Sequence, residues 1–448
     1  DLNSDINLDQ TVETSNTNDD QVSNIKQEIT KENQLQNNTS SKIPEEKKKK
    51  LFNFDLSSLK NLSSLKDKLS FKKDNLENKN DKKDKNNLSK FKKLFSEKIS
   101  KANVAGEEIA GIDIGEDSIK IAQLSKKEND WILEKISLRL LDKNKTADGV
   151  INAKDYVSEE LKLGMANAKV STTNVAISIP VTSAIIRVVT SPLMSDDELQ
   201  KAIETDSLWE NLVQLTDDLN EYSIFHQVIS RNNKTNTMEI LFVASKLSDV
   251  NAYSSIVKKA GLNPVILDVK CFTLKNAFDN SFKIENKANN ALLEIGSEDN
   301  YLIIVHDNIP IITDIFLRPN EKDLLGQFDG NIQNTDTESV VRRYCMQLKQ
   351  ALSDYESKYS SKINNIKIVS SLANIEELIP LFKKNLLNTG LQVFDPLNEI
   401  QIPAYNQEKT NLRNRSIYTS VLGLAYRKLD VFGYYKFVTA VKNINLLP

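Results

Sequence analysis

Two short glycine-containing segments hold the residues best suited to chemistry. Gly111-Ile112-Asp113-Ile114-Gly115 ends an apolar run and leads through Glu116-Asp117 into Ser118-Ile119-Lys120. Much later comes Glu294-Ile295-Gly296, followed by Ser297-Glu298-Asp299. A tight hairpin turn gathers backbone N–H groups into an anion nest, which suits a phosphate. In the first turn Asp113 supplies a carboxylate, Gly115 permits close approach, Ser118 offers a hydroxyl and Lys120 a counter-charge. The plainer reading is an ordinary hairpin in which Gly115 only makes the turn. The acids around both turns weigh on that choice. A carboxylate about 4 Å from a phosphate costs roughly 4 kcal/mol at an effective dielectric near 20. Two of them could cancel binding unless Mg²⁺ or Lys120 offset one.

Other chemistries have too few residues to draw on. With 2 His (His226 and His306, far apart) a histidine zinc site or a Ser-His-Asp triad is disfavoured. The 2 Cys, Cys271 and Cys345, cannot make a disulfide framework or a thiolate cluster, and both sit in core-like patterns that suit a reducing compartment. A net charge of -3 argues against a nucleic-acid binder, which would carry a basic face. The last residues, Ile444-Asn445-Leu446-Leu447-Pro448, form an extended segment with alternating apolar anchors, a pattern suited to lying in a groove. The bland alternative is a terminus that packs on the last helix.

The elements that position these residues can be read along the chain. Residues 1–105 form a Lys- and Asn-rich extension expected to be disordered. Within 43–103 of it, basic amphipathic patterns (Phe52, Leu56, Leu59, Leu62; Leu88, Phe91, Leu94, Phe95) could touch an anionic membrane or a partner helix. No run approaches the ~20 apolar residues needed to span a bilayer, and no secretory layout opens the sequence, so the expected place is the cytoplasm. From Glu108 the pattern is α/β. Strands are expected at Ile109–Ile114, Ser118–Leu124 and Trp131–Leu140, then a helix across 152–168 and a strand at Asn174–Pro180. The order recurs at Ala291–Ile295, Tyr301–Val305 and Ile309–Phe316, with a long helix from about 338 to 359 and a strand at Lys367–Ser370. A duplicated meander with alternating helices is the layout of a two-lobed actin-like fold, built from a doubled ribonuclease H-like unit.

The local residues narrow this further. The first hairpin, then Ile186-Arg187-Val188-Val189, Pro192-Leu193-Met194-Ser195, Asp218-Leu219-Asn220-Glu221-Tyr222, Leu241-Phe242-Val243-Ala244-Ser245, Ala260-Gly261-Leu262-Asn263-Pro264 and Leu422-Gly423-Leu424-Ala425-Tyr426-Arg427 resemble, in order, the PilM family of type IV pilus assembly proteins. The resemblance spans about 108–430. It implies a first lobe over 108–184 and 247–284, an inserted small subdomain over 185–246, a second lobe over 285–405, a closing helix over 406–430 and a tail over 431–448. It also implies a cytoplasmic scaffold at the inner face of the inner membrane. Such a scaffold binds the N-terminal peptide of a PilN-like membrane partner and couples pilus motor ATPases to it. The peptide Ile444–Pro448 itself reads like that partner peptide, carried here after an aromatic linker (Phe432, Tyr434, Tyr435, Phe437), and is expected to occupy this chain's own groove or a neighbouring subunit's.

If the family's nucleotide site is retained, Asp113, Gly115, Ser118, Lys120 and Gly296 would hold ATP, with Asp113 holding Mg²⁺ through water. Three departures weigh against retention and further against hydrolysis. The first turn carries Glu116-Asp117 where small hydroxylated residues are usual, and Glu294-Ile295-Gly296 replaces Asp-x-Gly. No glycine pair stands near Ser370-Ser371-Leu372-Ala373-Asn374. The competing readings are an ATP-binding actin-like ATPase or kinase, and a membrane-tethered filament protein similar to FtsA.

Overall fold

The computed structural model describes residues 108–448 apart from 205–207, 210–212, 214, 216, 282–288, 297, 308, 332 and 429–443. The expectations for 1–105 and its amphipathic segments, for Ser297 and for the aromatic linker lie outside the described residues. Everything described falls in one compact unit, Ser100–Pro448.

The elements run in the following order. Strands β1 (Ala110–Ile114), β2 (Ser118–Lys127) and β3 (Asp130–Leu140) precede helix α1 (Lys154–Ala168) and strand β4 (Asn174–Ile179). Strand β5 (Ile185–Pro192), helix α2 (Asp196–Glu204), strands β6 (Tyr222–Asn232) and β7 (Thr237–Lys246) come next. Then follow α3 (Leu247–Lys259), β8 (Asn263–Val269) and α4 (Lys270–Ser281). The meander returns as β9 (Asn290–Ile295), β10 (Asn300–His306) and β11 (Ile309–Asp314). After it come α5 (Pro319–Gly326), α6 (Thr335–Tyr359), β12 (Asn365–Ser370), α7 (Ile375–Asn385) and β13 (Gly390–Val393). Strand β14 (Ile400–Gln401) and helices α8 (Ala404–Thr410) and α9 (Thr419–Ala425) close the sequence of elements.

Three sheets result. The first is ordered β14-β3-β2-β1-β4-β8, the second β11-β10-β9-β12-β13, and the third β5-β7-β6. In the first two an antiparallel meander continues into parallel strands, β4 beside β1 and β12 beside β9. The repeat extends to single residues. Asp113 faces Lys120 across β1–β2, and Glu294 faces Tyr301 across β9–β10. Both acids lie two residues before the turn glycine.

Strand β1 is buried along its whole length, as expected of a central strand covered on both faces. One cover is α9, which approaches so closely that a Cβ on Gly111 would lie 2.5 Å from the Val421 carbonyl oxygen. Helix α6 buries Val341, Tyr344, Cys345, Leu348 and Tyr355, a helical stripe, against the second sheet. The Asn334 side chain caps its start by accepting from the Thr337 N–H at 3.1 Å. Strand alternation then splits the second sheet between two cores. Ala291, Leu293, Ile295, Leu302 and Ile304 face α6, while Leu292, Tyr301 and Ile303 join a cluster with Ile112, Ile177 and Leu267 of the first sheet. Both cysteines are buried and unpaired with each other.

Ile400 and Gln401, within the span 285–405 expected for the second lobe, pair with Trp131 and Ile132 of β3. Ile400 packs with Leu133 and Tyr418, so the chain has rejoined the first sheet by then. A two-residue strand gives no periodicity to read in advance. Among the described residues no helix is long and apolar enough to cross a membrane.

Candidate functional site

The two glycine turns face each other across the cleft between the first and second sheets. The first is closed by the Gly115 N–H donating to the Ser118 carbonyl at 2.9 Å, and the Thr146 hydroxyl holds the Glu116 carbonyl at 2.8 Å. The Glu116 N–H points outward, as an anion nest requires. It donates to Oε1 of Glu298, from the second turn. That carboxylate lies 2.9 Å from where a Cβ on Gly115 would stand. Beside it, the Val181 N–H just after β4 donates to Oδ2 of Asp299 at 3.1 Å. Asn300 braces the second turn, accepting from the Gly296 N–H at 3.2 Å and donating to the Gly296 carbonyl at 3.0 Å.

Asp113 and Glu294 each have a lysine beside them. Lys120 Nζ lies 3.3 Å from Asp113 Oδ2, and the Ser420 hydroxyl donates to Oδ1 at 3.2 Å. Burial pushes the Asp113 carboxyl up, but Lys120, Lys270 and these hydrogen bonds outweigh it and hold the group below the usual range. Glu294 takes Lys270 Nζ at 2.7 Å and the Tyr301 hydroxyl at 2.6 Å. Burial still raises the Glu294, Glu298 and Asp299 carboxyls. Lys322 Nζ donates to the Glu298 carbonyl at 3.0 Å.

Asp113, Gly115, Lys120 and Gly296 are therefore brought together. The Ser118 hydroxyl donates to the neighbouring Asp117 at 2.7 Å. Lys120 serves Asp113, its cross-strand partner, and is not a free counter-charge. Where a glycine pair was missed, Ser370 is buried and its hydroxyl donates to the Ile295 carbonyl at 2.6 Å. Asn414 and Ser416 bond the same strand end. The outward N–H of the first turn is taken by a carboxylate, and both oxygens of Asp113 are committed. Among the described residues no group of three or more His, Cys, Asp or Glu could hold a metal ion.

A second site lies at the other edge of the first sheet. Strand β8 is an edge strand, and the segment Ile444–Pro448 lies along it. The Leu446 N–H donates to the Leu267 carbonyl at 2.8 Å. The Asn445 carboxamide accepts from the Leu267 N–H at 2.9 Å and donates to the Val265 carbonyl at 3.2 Å. From the third sheet, the Ser223 hydroxyl donates to the Leu446 carbonyl at 2.6 Å. Ile444 and Leu446 are buried in the large shared cluster, and Leu447 packs at its margin. Arg427, just after α9, donates to the Ile444 carbonyl at 2.8 Å and pairs with Asp268. Burial pushes the Asp268 carboxyl up to about 6, against the pull of Arg427 and the Val269 N–H. The terminus thus lies in a groove made by β8, β6 and Arg427 rather than merely on the last helix.

Lys270, Ser420, Asp268, Arg427 and Ser223 were not foreseen as site residues. Lys270 carried a usable signal: it is the first residue past a buried parallel strand, at the carboxyl end where α/β sheets gather their ligands. Ser223 and Arg427 carried none, since their roles exist only once distant segments meet.

The family described as "Type IV pilus assembly protein PilM" matches residues 111–352. No curated protein matches. Among solved structures, a PilM-PilN type IV pilus biogenesis complex is similar at 16% identity and TM-score 0.60, covering 72% of this chain and 98% of that one. A Bacteroides thetaiotaomicron protein with an actin-like ATPase fold is similar at 10% identity and TM-score 0.35, covering 65% and 93%. The activator of a Clostridium difficile 2-hydroxyisocaproyl-CoA dehydratase with bound ADPNP is similar at 9% identity and TM-score 0.32, covering 71% and 92%.

Proposed function

The chain belongs to the PilM family of type IV pilus assembly proteins, with the two-lobed actin-like fold, and from that premise we propose that it is a scaffold receiving a PilN-like peptide in the β8 groove. One observation carries the reading. An extended Ile-Asn-Leu-Leu-Pro segment lies on the β8 edge, with Asn445 making the paired bonds a neighbouring strand would make. A groove that accepts this segment from its own chain accepts the same residues from a partner. The docked terminus is then a competitor that the partner must displace. The proposed location is the cytoplasm at the inner face of the inner membrane, where such a partner would present its peptide and pilus motor ATPases would be in reach. In this reading the chain's own carboxylates, rather than a nucleotide, hold the donors of the cleft.

The test is fluorescence anisotropy with a labelled Ile-Asn-Leu-Leu-Pro peptide and the full chain. Leu446→Ser should loosen the docked terminus and raise peptide affinity at least tenfold over wild type. If neither protein binds the peptide at high micromolar concentration, the groove is not a peptide receptor.

A further inference from the structure

The cleft raises a question separate from the groove: what, beyond the shared apolar cluster, joins the two turns if no nucleotide bridges them. Across it, the donors on the first-sheet side are the Glu116 N–H, the Val181 N–H and the Lys270 ammonium. The acceptors all come from one stretch of the second sheet and its turn, namely Glu298, Asp299 and Glu294. A phosphate chain spanning such a cleft needs turn N–H groups and a lysine. Here carboxylates meet those donors instead.

We propose that Glu298 and Asp299 are a built-in substitute for a bound phosphate, tying the second turn to the first sheet so that the cleft closes without a ligand.

Three features support this. The Glu298 carboxylate fills the space above Gly115, 2.9 Å from a Cβ placed there, so an incoming phosphate would have to expel it. The charges are nearly matched already, with Asp113, Glu294, Glu298 and Asp299 facing Lys120, Lys270 and Lys322. Another anion would find no unpaired cation among these. A carboxylate on the same chain also competes at a high effective concentration, typically millimolar or more for a short tether. The second turn is itself fixed by Asn300, so the bridge is held in position from both ends.

Hydrogen–deuterium exchange on the full chain tests this. In wild type the Glu116 and Val181 amides should be protected, and millimolar Mg·ATP should leave their rates unchanged. Glu298→Ala should speed exchange at Glu116 at least tenfold, and Asp299→Ala should do so at Val181. The proposal fails if the wild-type amides exchange freely and Mg·ATP slows them, for then the nest is open and nucleotide fills it. It also fails if the folded variants exchange like wild type. Should the variants not fold, the wild-type comparison with and without Mg·ATP decides alone. Peptide binding at β8 is unaffected by either result, so this idea and the scaffold reading stand or fall separately.

Discussion

The side chains that matter most are charged groups sealed from water, and each makes its own prediction. Asp113 stays ionised because Lys120 stands opposite it on β2. Lys120→Met would strand a buried carboxylate and should lower stability by about 3 kcal/mol in chemical unfolding, the scale for breaking a buried pair. Arg427→Ala strands Asp268 and removes the bond to the Ile444 carbonyl, so a similar loss is expected together with faster amide exchange at Leu446. Asp268 has a pH signature. Its folded value of about 6 lies above the unfolded value near 3.9, so folding takes up a proton between them. Its contribution is fully present below about pH 4 and falls as pH rises through about 6. Melting curves of wild type and Asp268→Asn across that window should differ in slope, the variant being flatter. Equal slopes would remove Asp268 as the titrating group. At this scale the sequence was only half legible. Asp113 and Gly115 stood in a readable strand–turn–strand pattern, whereas Lys270 and Arg427 acquire meaning from groups 24 and more than 100 residues away, with Glu294 and Asp268 as their partners.

Elements are where reading from sequence succeeds best, because periodicity is local. The meanders, the long helix and the central strands all lie within a few residues of their expected spans. The exceptions are those with too few residues to show a period, such as β14, or those whose course depends on close packing. Helix α9 is an example of the latter. Its seven residues are all buried, and a Cβ on Gly423 would lie 1.9 Å from the Thr273 carbonyl oxygen of α4. Asn276 of α4 donates to the Gly423 carbonyl at 2.6 Å, and the Thr273 and Ser420 hydroxyls meet at 2.9 Å. Gly423→Ala must push the two helices apart and break this polar contact. A loss of about 3 kcal/mol is expected. Unchanged unfolding would mean the helices do not meet this closely. Since Ser420 also holds Asp113, the shift should reach the first turn and show as faster exchange there.

At the scale of the whole molecule, the duplicated order of elements announced two sheets, and the family resemblance implied two lobes. What neither conveyed is how the sheets are joined. The alternation in β9 and β10 sends Leu292, Tyr301 and Ile303 into the same cluster as Ile112, Ile177 and Leu267, and the Phe278 and Phe394 rings meet at 5.9 Å across it. Ile444 and Leu446 are part of that cluster too. Which face of a strand turns toward a distant sheet cannot be read from the strand's own residues. A shared apolar core also sets how the molecule deforms. Swinging the sheets apart about a hinge would bring this core into water, at about 25 cal/mol for every Å² uncovered, whereas small sliding displacements would not. A push delivered to one half is therefore passed to the other as to a stiff strut, with little taken up in between.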